Sequence, residues 1–162
     1  MFRSVGVSAE GAAEMADVLI ASDLRGNDSH GVSNALRHYI QGYLDGGPPT
    51  AQPTFRVVRD GPATAVVDAD GALGIHVGTF AMNLAIEKAK EYGVGSVAVR
   101  NAGHFGAIGF FTQLAAQAGC LGQCFVGGVP SAGNAGAGMV PTFGAEGRLS
   151  TNPVAWSAPA KI

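Results

Sequence analysis

Residues 94–119 read VGSVAVRNAGHFGAIGFFTQLAAQAG, and this stretch decides the fold. Valines at positions 94, 97 and 99 predict a strand with one buried face. Apolar residues at helical spacing predict a helix toward its end: Phe110, Phe111, Leu114, Ala115 and Ala118. A strand, a turn and a helix in succession are typical of an α/β protein, and the rest of the chain is interpreted around this unit.

The turn between that strand and that helix, Asn101–Gly106, contains His104. Gly103 and Gly106 flank the histidine, so the backbone can turn sharply and approach a ligand, and we expect neither glycine to be replaceable without loss. Free N–H groups at the start of the following helix suit an anionic or carbonyl oxygen. Two interpretations remain open, a catalytic imidazole or a turn histidine that only bonds to a neighbour.

Composition limits the class of protein. The chain has 162 residues, 47% of them apolar and 14% charged, which excludes a disordered chain and allows one real core. The net charge of −2 and the lack of a basic run argue against nucleic acid as a partner. No apolar segment typical of a signal peptide follows the N-terminal residues, and Cys120 and Cys124 lack a second ligand pair. We expect a cytoplasmic protein without a metal site.

The chain contains no Asp, Glu, Lys or Arg from Asn101 to Ala145, and residues 105–128 have the length of a membrane span. Glutamines recur through this segment, and Gly119 follows the predicted helix as a typical stop signal. We therefore expect a buried helix followed by a buried strand and no membrane span. A small membrane-associated protein is the alternative.

The remaining sequence divides into two regions. Residues 1–50 form a predicted helical segment, with one helix capped by Ser8 and continuing to Ala21 and another from Val32 to Leu44. Residues 51–162 form a predicted α/β region that begins the cofactor-binding domain. Its predicted parts are strands at 55–59 and 63–69, a helix of about 18 residues ending near Tyr92, a strand at 121–126, a long loop at 127–147 and a strand at 151–157.

Glycine patterns that bind nucleotides are not matched. Gly71, Gly74 and Gly78 follow a strand with the spacing GxxGxxxG, whereas the dinucleotide fingerprint is GxGxxG. The glycines at 133–138 miss that spacing as well, and there is no Walker A sequence. A Rossmann or P-loop fold is therefore not indicated.

A second candidate centre is His30, in the tripeptide SHG at the start of the second predicted helix. A helix N-terminus disfavours the imidazolium form, so this imidazole is expected to be near neutral at pH 7. Arg37 lies two turns further on a similar face and can bind a carboxylate bidentately. Ser29 as an ordinary helix cap and Arg37 as an ordinary surface residue remain the alternatives. Two further histidines lie inside predicted helices and are interpreted as structural: His38 and His76.

Four motifs occur in order: DLRGNDSHGV at 23–32, NAGHFG at 101–106, VPTFG at 140–144 and STNP at 150–153. In this order and spacing they resemble the malate/L-lactate dehydrogenase family, which also includes L-sulfolactate dehydrogenases, ureidoglycolate dehydrogenase and diketogulonate reductase. The resemblance covers essentially the whole chain. It implies the family's own fold, an L-sulfolactate dehydrogenase-like α/β fold with a mixed sheet and helices, which is not a Rossmann fold.

The resemblance also implies a function. Members interconvert 2-hydroxy acids and 2-oxo acids with NAD or NADP, as homodimers. The family's conserved histidines fall on His30 and His104, and its serine falls on Ser29. Its nicotinamide cofactor lies near the segment that matches Thr151, Asn152 and Pro153. Hydride leaves C2 of the hydroxy acid while an imidazole takes the hydroxyl proton, and we expect that imidazole to be His104, with His30 binding or polarising the oxygen.

Two departures from the family pattern concern the substrate and the length. Many members carry an arginine four residues after the first histidine, where this chain has Asn34. Arg37 is the expected substitute for holding the substrate carboxylate, and Arg25 and Arg148 are further candidates. Family members are substantially longer, so we expect an N-terminal fragment. The alternative function is a catalytically inactive fragment or a scaffold or partner subunit.

Overall fold

The computed structural model describes residues 1–46, 49–127 and 138–160. The described residues form four helices and five strands, and the last two helices are interleaved with strands in the second region, as the sequence predicts. The helices are α1 (Ala9–Leu24), α2 (Ala35–Leu44), α3 (Gly74–Tyr92) and α4 (Gly109–Gln117). The strands are β1 (Arg56–Asp60), β2 (Thr64–Asp68), β3 (Ser96–Arg100), β4 (Gly122–Phe125) and β5 (Val154–Ser157). Short 3₁₀ turns occupy Phe2–Val5 and Asp28–His30.

The strands form two sheets. One has the order β1-β2-β3, with β1 antiparallel and β3 parallel to β2, so that Val67 lies beside Val99. The other pairs β4 with β5 in antiparallel fashion. The parallel β2–β3 pair is joined by α3, which is the crossover that a parallel pair requires. The predicted α/β class with a mixed sheet is confirmed.

The stretch at 94–119 folds as a strand, a turn and a helix, but the strand begins at Ser96 and not at Val94. Gly93 ends α3 in the left-handed conformation, with a φ of 81°, and Val94 is 62% exposed. Gly95 then passes close to α3, where an added Cβ would lie 1.9 Å from the Ala85 carbonyl oxygen. Strand β3 therefore begins only after the backbone has passed α3 at Gly95.

Helix α1 begins as predicted, because the Ser8 side chain accepts a hydrogen bond from the Gly11 N–H at 3.1 Å. It continues past the predicted end at Ala21 to Leu24. Helix α2 starts at Ala35, three residues later than predicted. The residues ahead of it are held against α1, since the Val32 N–H donates to the Asp23 side chain at 2.9 Å.

One core cluster draws buried residues from all four helices and from the N-terminal turn: Phe2, Val7, Met15, Val18, Leu19, Ala35, Tyr39, Leu73, Ile75, Ile108 and Phe111. Helix α3 packs against α4 through a glycine, because Gly78 leaves room for the ring of Phe111. A second, smaller cluster lies under the three-stranded sheet: Val67, Ala69, Ala72 and Val77. The helical N-terminal segment and the α/β region thus share one apolar interior.

The C-terminal elements are shorter than predicted. The strand expected at 121–126 spans Gly122–Phe125, and the strand expected at 151–157 spans Val154–Ser157. Residues 128–137 of the long loop predicted at 127–147 lie outside the described residues, and so do residues 47–48 of the linker. The glycines at 133–136 fall in the first of these gaps. Cys120 and Cys124 are free thiols. Within the described ranges, no helix has both the length and the apolar character needed to cross a membrane.

We predict that Gly78→Ala destabilises the fold by about 1–3 kcal/mol, because its Cβ would overpack the core. That atom would lie 2.4 Å from the Phe111 ring, so the ring or the helix must shift. Gly109→Ala is the matched control, because no heavy atom lies within 4 Å of its added Cβ. Urea unfolding measures both variants. Equal free energies of unfolding for the two would contradict the packing assigned to Gly78.

His76 makes stability pH-dependent. It is 7% exposed, its Nδ1 has no hydrogen-bond partner among the described residues, and burial lowers its pKa from the ordinary value of 6.5. Below pH 6.5 His76 is protonated in the unfolded chain, whereas in the folded chain it stays neutral down to a lower pH. The free energy of unfolding therefore falls as the pH falls. We predict that His76→Leu flattens this dependence in urea titrations between pH 7 and the folded-state pKa. An unchanged slope would show that His76 is not its source.

Candidate active site

A cavity of about 520 Å³ lies where the end of α1, the Asn27–His30 loop, the NAGHFG turn, the start of α4 and the residues before β5 meet. It is the place where three of the four sequence motifs converge. His30 and His104 line it, and so do Thr151 and Pro153 from the predicted cofactor segment. Residues far apart in the sequence are therefore brought together as the motifs predict.

The loop that carries His30 is fixed to the end of α1. Asp23 accepts a hydrogen bond from the Val32 N–H, and its carboxylate packs against the backbone of Gly31. An added Cβ at Gly31 would lie 1.7 Å from an Asp23 oxygen, so only glycine fits there. The contact between the Asp23 carboxylate and the backbone of Gly31 and Val32 holds the SHG tripeptide at the cavity.

The His30 ring is held through Ser29. The Ser29 hydroxyl lies 2.8 Å from His30 Nδ1 and donates to Asn27 Oδ1 at 2.9 Å. Asn34, which stands at the position of the family's arginine, donates from its side chain to the Ser29 carbonyl at 3.4 Å. The Ser29 side chain makes no helix-cap bond to α2, so the capping alternative is wrong.

The His104 ring is held by Tyr39 and by the backbone of Gly106. Its Nδ1 lies 2.6 Å from the Tyr39 hydroxyl and accepts a hydrogen bond from the Gly106 N–H at 3.2 Å. Tyr39 is 3% exposed, and burial raises the pKa of its hydroxyl to about 12. The hydroxyl therefore stays protonated near neutral pH.

The glycines of this turn are not equivalent. Gly106 has a φ of 63°, and an added Cβ would lie 2.7 Å from the Ile75 side chain. Gly103 does not adopt the left-handed conformation, and its added Cβ would meet the flexible Leu73 side chain at 3.2 Å. The structural requirement for glycine therefore rests on Gly106, and the equal importance expected of Gly103 has no basis in backbone strain.

The two imidazoles stack on each other. Their ring centroids are 5.5 Å apart and their planes are inclined by 26°. Burial lowers the pKa of His104 from its ordinary value, and the nearby charges of His30 and His38 lower it further. The positive charge that His30 carries when protonated therefore disfavours an imidazolium at His104.

The candidate carboxylate-binding arginines are separated by the fold. Arg25 lines the cavity, whereas Arg37, Asn34 and Arg148 do not. Arg37 is exposed on α2, and Arg148 pairs with Glu146. A bidentate guanidinium is the usual partner of a substrate carboxylate, and Arg25 is the candidate that the geometry favours. Its place inside the DLRGNDSHG motif, ahead of His30, was the available sequence signal.

The cofactor segment contributes Thr151 and Pro153 to the cavity, while Asn152 is exposed with a φ of 43° and does not line it. Trp156 also lines the cavity and is 60% exposed, although its sequence position suggested only a strand residue. A hydrogen bond of 2.7 Å between Ser157 and Thr112 ties this strand to α4. Among the described residues, no group of three or more His, Cys, Asp or Glu side chains is arranged to hold a metal ion.

Comparisons with known proteins agree with this architecture. A family model described as malate/L-lactate dehydrogenase matches residues 1–162. The malate dehydrogenase of Pyrococcus abyssi is 42% identical over 161 residues, which cover 99% of this chain and 42% of that protein. The L-sulfolactate dehydrogenase of Methanocaldococcus jannaschii is 41% identical over 155 residues, which cover 96% of this chain and 42% of that protein.

Solved structures show the same fold. The crystal structure of malate dehydrogenase from Entamoeba histolytica superposes with a TM-score of 0.90 at 38% identity, covering 99% of this chain and 42% of that one. The sulfolactate dehydrogenase structure from Methanocaldococcus jannaschii gives 0.87 at 39% identity, covering 97% and 43%. The chain thus spans about two fifths of the length of the relatives it matches. With a family model that matches along its whole length, the chain belongs to the malate/L-lactate dehydrogenase family.

Proposed function

We propose that the natural protein is an oxidoreductase that interconverts 2-hydroxy acids and 2-oxo acids with NAD or NADP. The observation that carries the proposal is the stacked pair of His30 and His104, 5.5 Å apart and lining one cavity. Oxidising a hydroxyl group requires a proton acceptor beside it, and reducing an oxo group requires a proton donor there. The pair provides both kinds of group within reach of one substrate oxygen.

The protonation state of the pair suits this chemistry. An acid–base catalyst works best when its pKa is close to the working pH, and an imidazole meets this condition. A proton on His30 disfavours a proton on His104, because the two positive charges would repel each other. One imidazole therefore exchanges the substrate proton while its neighbour forms a hydrogen bond to the same oxygen.

A carboxylate on the substrate fits the charge at the cavity. Arg25 lines it at the end of α1, and its guanidinium can bind a carboxylate in a bidentate manner. A 2-hydroxy acid carries its carboxylate next to the reacting carbon, so one guanidinium beside two imidazoles matches the substrate class. Arg37 and Arg148 stay alternatives for this role, with Arg25 favoured because it lines the cavity.

The residues present also fit a nicotinamide cofactor. Thr151 offers a hydroxyl, Pro153 a small apolar surface and Trp156 an exposed aromatic face on the same cavity. When bound, the nicotinamide supplies or accepts the hydride, a function that amino-acid side chains do not provide. Thr151, Pro153 and Trp156 would hold it in the cavity, and Asn152 lies beside them in the sequence but does not line the cavity. A homodimer belongs to the same proposal and rests on the family resemblance. A cytoplasmic location belongs to it as well and rests on the interpretation of Cys120 and Cys124 as thiols of a reducing compartment.

The proposal predicts nicotinamide-dependent turnover by the natural gene product on a panel of 2-hydroxy acids. Replacing the acid–base histidine by asparagine, in His30→Asn or His104→Asn, lowers kcat by about 10²–10⁴-fold and removes the imidazole inflection from the pH profile. Replacing the other histidine raises KM and keeps the pH dependence. Formation of reduced nicotinamide, followed by absorbance, measures both. If both variants keep kcat and its pH dependence, neither histidine is the catalyst.

We further predict that Gly106→Ala lowers kcat/KM about tenfold or more, because about 1–2 kcal/mol of backbone strain moves the His104 ring. Gly119→Ala is the control: Gly119 has a φ of 81° but no heavy atom within 4 Å of its added Cβ. Gly103→Ala has a smaller effect than Gly106→Ala. Steady-state kinetics of the three variants test the prediction, and equal losses at all three positions would contradict a special role for Gly106.

A further inference from the structure

We propose that Tyr39 is a positioning residue that keeps the proton of the neutral His104 ring on Nε2. His104 then donates a hydrogen bond to the substrate oxygen, and His30 is the ring that accepts the substrate proton. This division of roles reverses the one expected from the sequence. It deepens the proposed function and rests on it.

The direction of the hydrogen bonds at His104 supports the first part. A backbone N–H can only donate, so Nδ1 of His104 is the acceptor in its bond with the Gly106 N–H. An Nδ1 that accepts from Gly106 carries no proton, so the protonated Tyr39 hydroxyl, 2.6 Å from the same nitrogen, is the donor in their hydrogen bond. With Nδ1 as the acceptor, the proton of the neutral ring lies on Nε2. That is the nitrogen left to face the cavity.

The hydrogen bonds at His30 have the opposite direction. The Asn27 Oδ1 atom can only accept, so the single hydroxyl proton of Ser29 is used in the bond to it. The Ser29 oxygen then accepts from His30 Nδ1, which lies 2.8 Å away and must carry a proton. Nε2 of His30 is therefore the nitrogen with the free lone pair. The stacked pair presents one donor and one acceptor to the cavity.

The charges around His104 favour the same division. The groups that face it are His30 from the 3₁₀ turn, His38 and Tyr39 from α2, and Arg25, which lines the same cavity at the end of α1. None of them is an anion, so nothing among them stabilises an imidazolium at this position. The hydrogen-bond geometry assigns the substrate proton to His30, whose Nε2 lone pair is free and whose Nδ1–H already has an acceptor in Ser29.

In the direction of oxidation, the O–H bond of the 2-hydroxy acid breaks, and its proton moves to Nε2 of His30, which becomes an imidazolium. The C2–H bond breaks, and its electron pair leaves with the hydrogen as hydride to the oxidised nicotinamide named in the proposed function. The new C=O oxygen accepts the hydrogen bond from Nε2–H of His104. Nothing else is oxidised or reduced.

The test compares Tyr39→Phe with Tyr43→Phe in the natural gene product. Tyr43 lies one helical turn further along α2, and its buried hydroxyl has no hydrogen-bond partner among the described residues. Burial raises the pKa of Tyr43 to about 12, as it does for Tyr39, so the two variants remove the same group from similar surroundings. Circular dichroism and thermal unfolding check that both variants fold.

We expect Tyr39→Phe to lower kcat/KM about tenfold, which corresponds to about 1.4 kcal/mol, a loss in the range that one hydrogen bond contributes. It also raises the pKa of His104 by about half a unit to one unit, because a donor that favours the neutral ring has been removed. Tyr43→Phe leaves both quantities unchanged. In the parent protein, nitrogen NMR of labelled histidine shows the His104 proton on Nε2 and the His30 proton on Nδ1.

Three results would overturn the proposal: a His104 proton on Nδ1 in the NMR spectrum, equal behaviour of the two tyrosine variants, or loss of the pH inflection in His104→Asn while His30→Asn keeps it. The NMR measurement requires no turnover and no variant. It therefore decides the tautomer even if Tyr39→Phe fails to fold. Absence of turnover on every 2-hydroxy acid would instead refute the proposed function.

Discussion

The hydrogen bond between Tyr39 and His104 joins two parts of the chain that are 65 residues apart, and the arrangement of the site depends on it. Tyr39 belongs to the helical N-terminal segment, whereas His104 lies in the turn between β3 and α4. The bond forms only if α2, α3 and the NAGHFG turn pack correctly. Because the Tyr39 ring is also part of the core, the same residue stabilises the fold and orients the imidazole. Stability and site geometry are therefore coupled in this molecule.

Backbone contacts at glycines support that bond. Gly106 allows the turn to pass Ile75, and Gly31 allows the SHG loop to lie on Asp23. Gly74 allows Phe105 to pack on the start of α3. Each contact brings backbone closer than a side chain would permit, so the two histidine loops are held on helices and not on long side chains. This rigidity suits a site in which two rings must stay stacked.

The local elements follow from the sequence because their causes are local. Alternating valines predicted β3, apolar residues at helical spacing predicted α4, and Ser8 predicted the start of α1. The starts of α2 and β3 were misplaced, and both lie at tertiary contacts. Asp23 takes the Val32 N–H, and α3 blocks the backbone at Gly95. A local sequence pattern does not predict a contact between elements that are distant in the sequence.

The same distinction applies to the site. The sequence by itself determined the α/β class and the family, and it singled out His30 and His104 as candidates, because glycine-flanked motifs in a fixed order carry that information. Only the tertiary structure decided that the two rings stack, that Arg25 and not Arg37 lines the cavity, and that a tyrosine on the apolar face of α2 binds His104. A hydrogen bond or a stacked pair depends on where two side chains meet in space. The distance between the two side chains is fixed by the packing of helices around a shared core. The spacing of residues within either motif does not predict it.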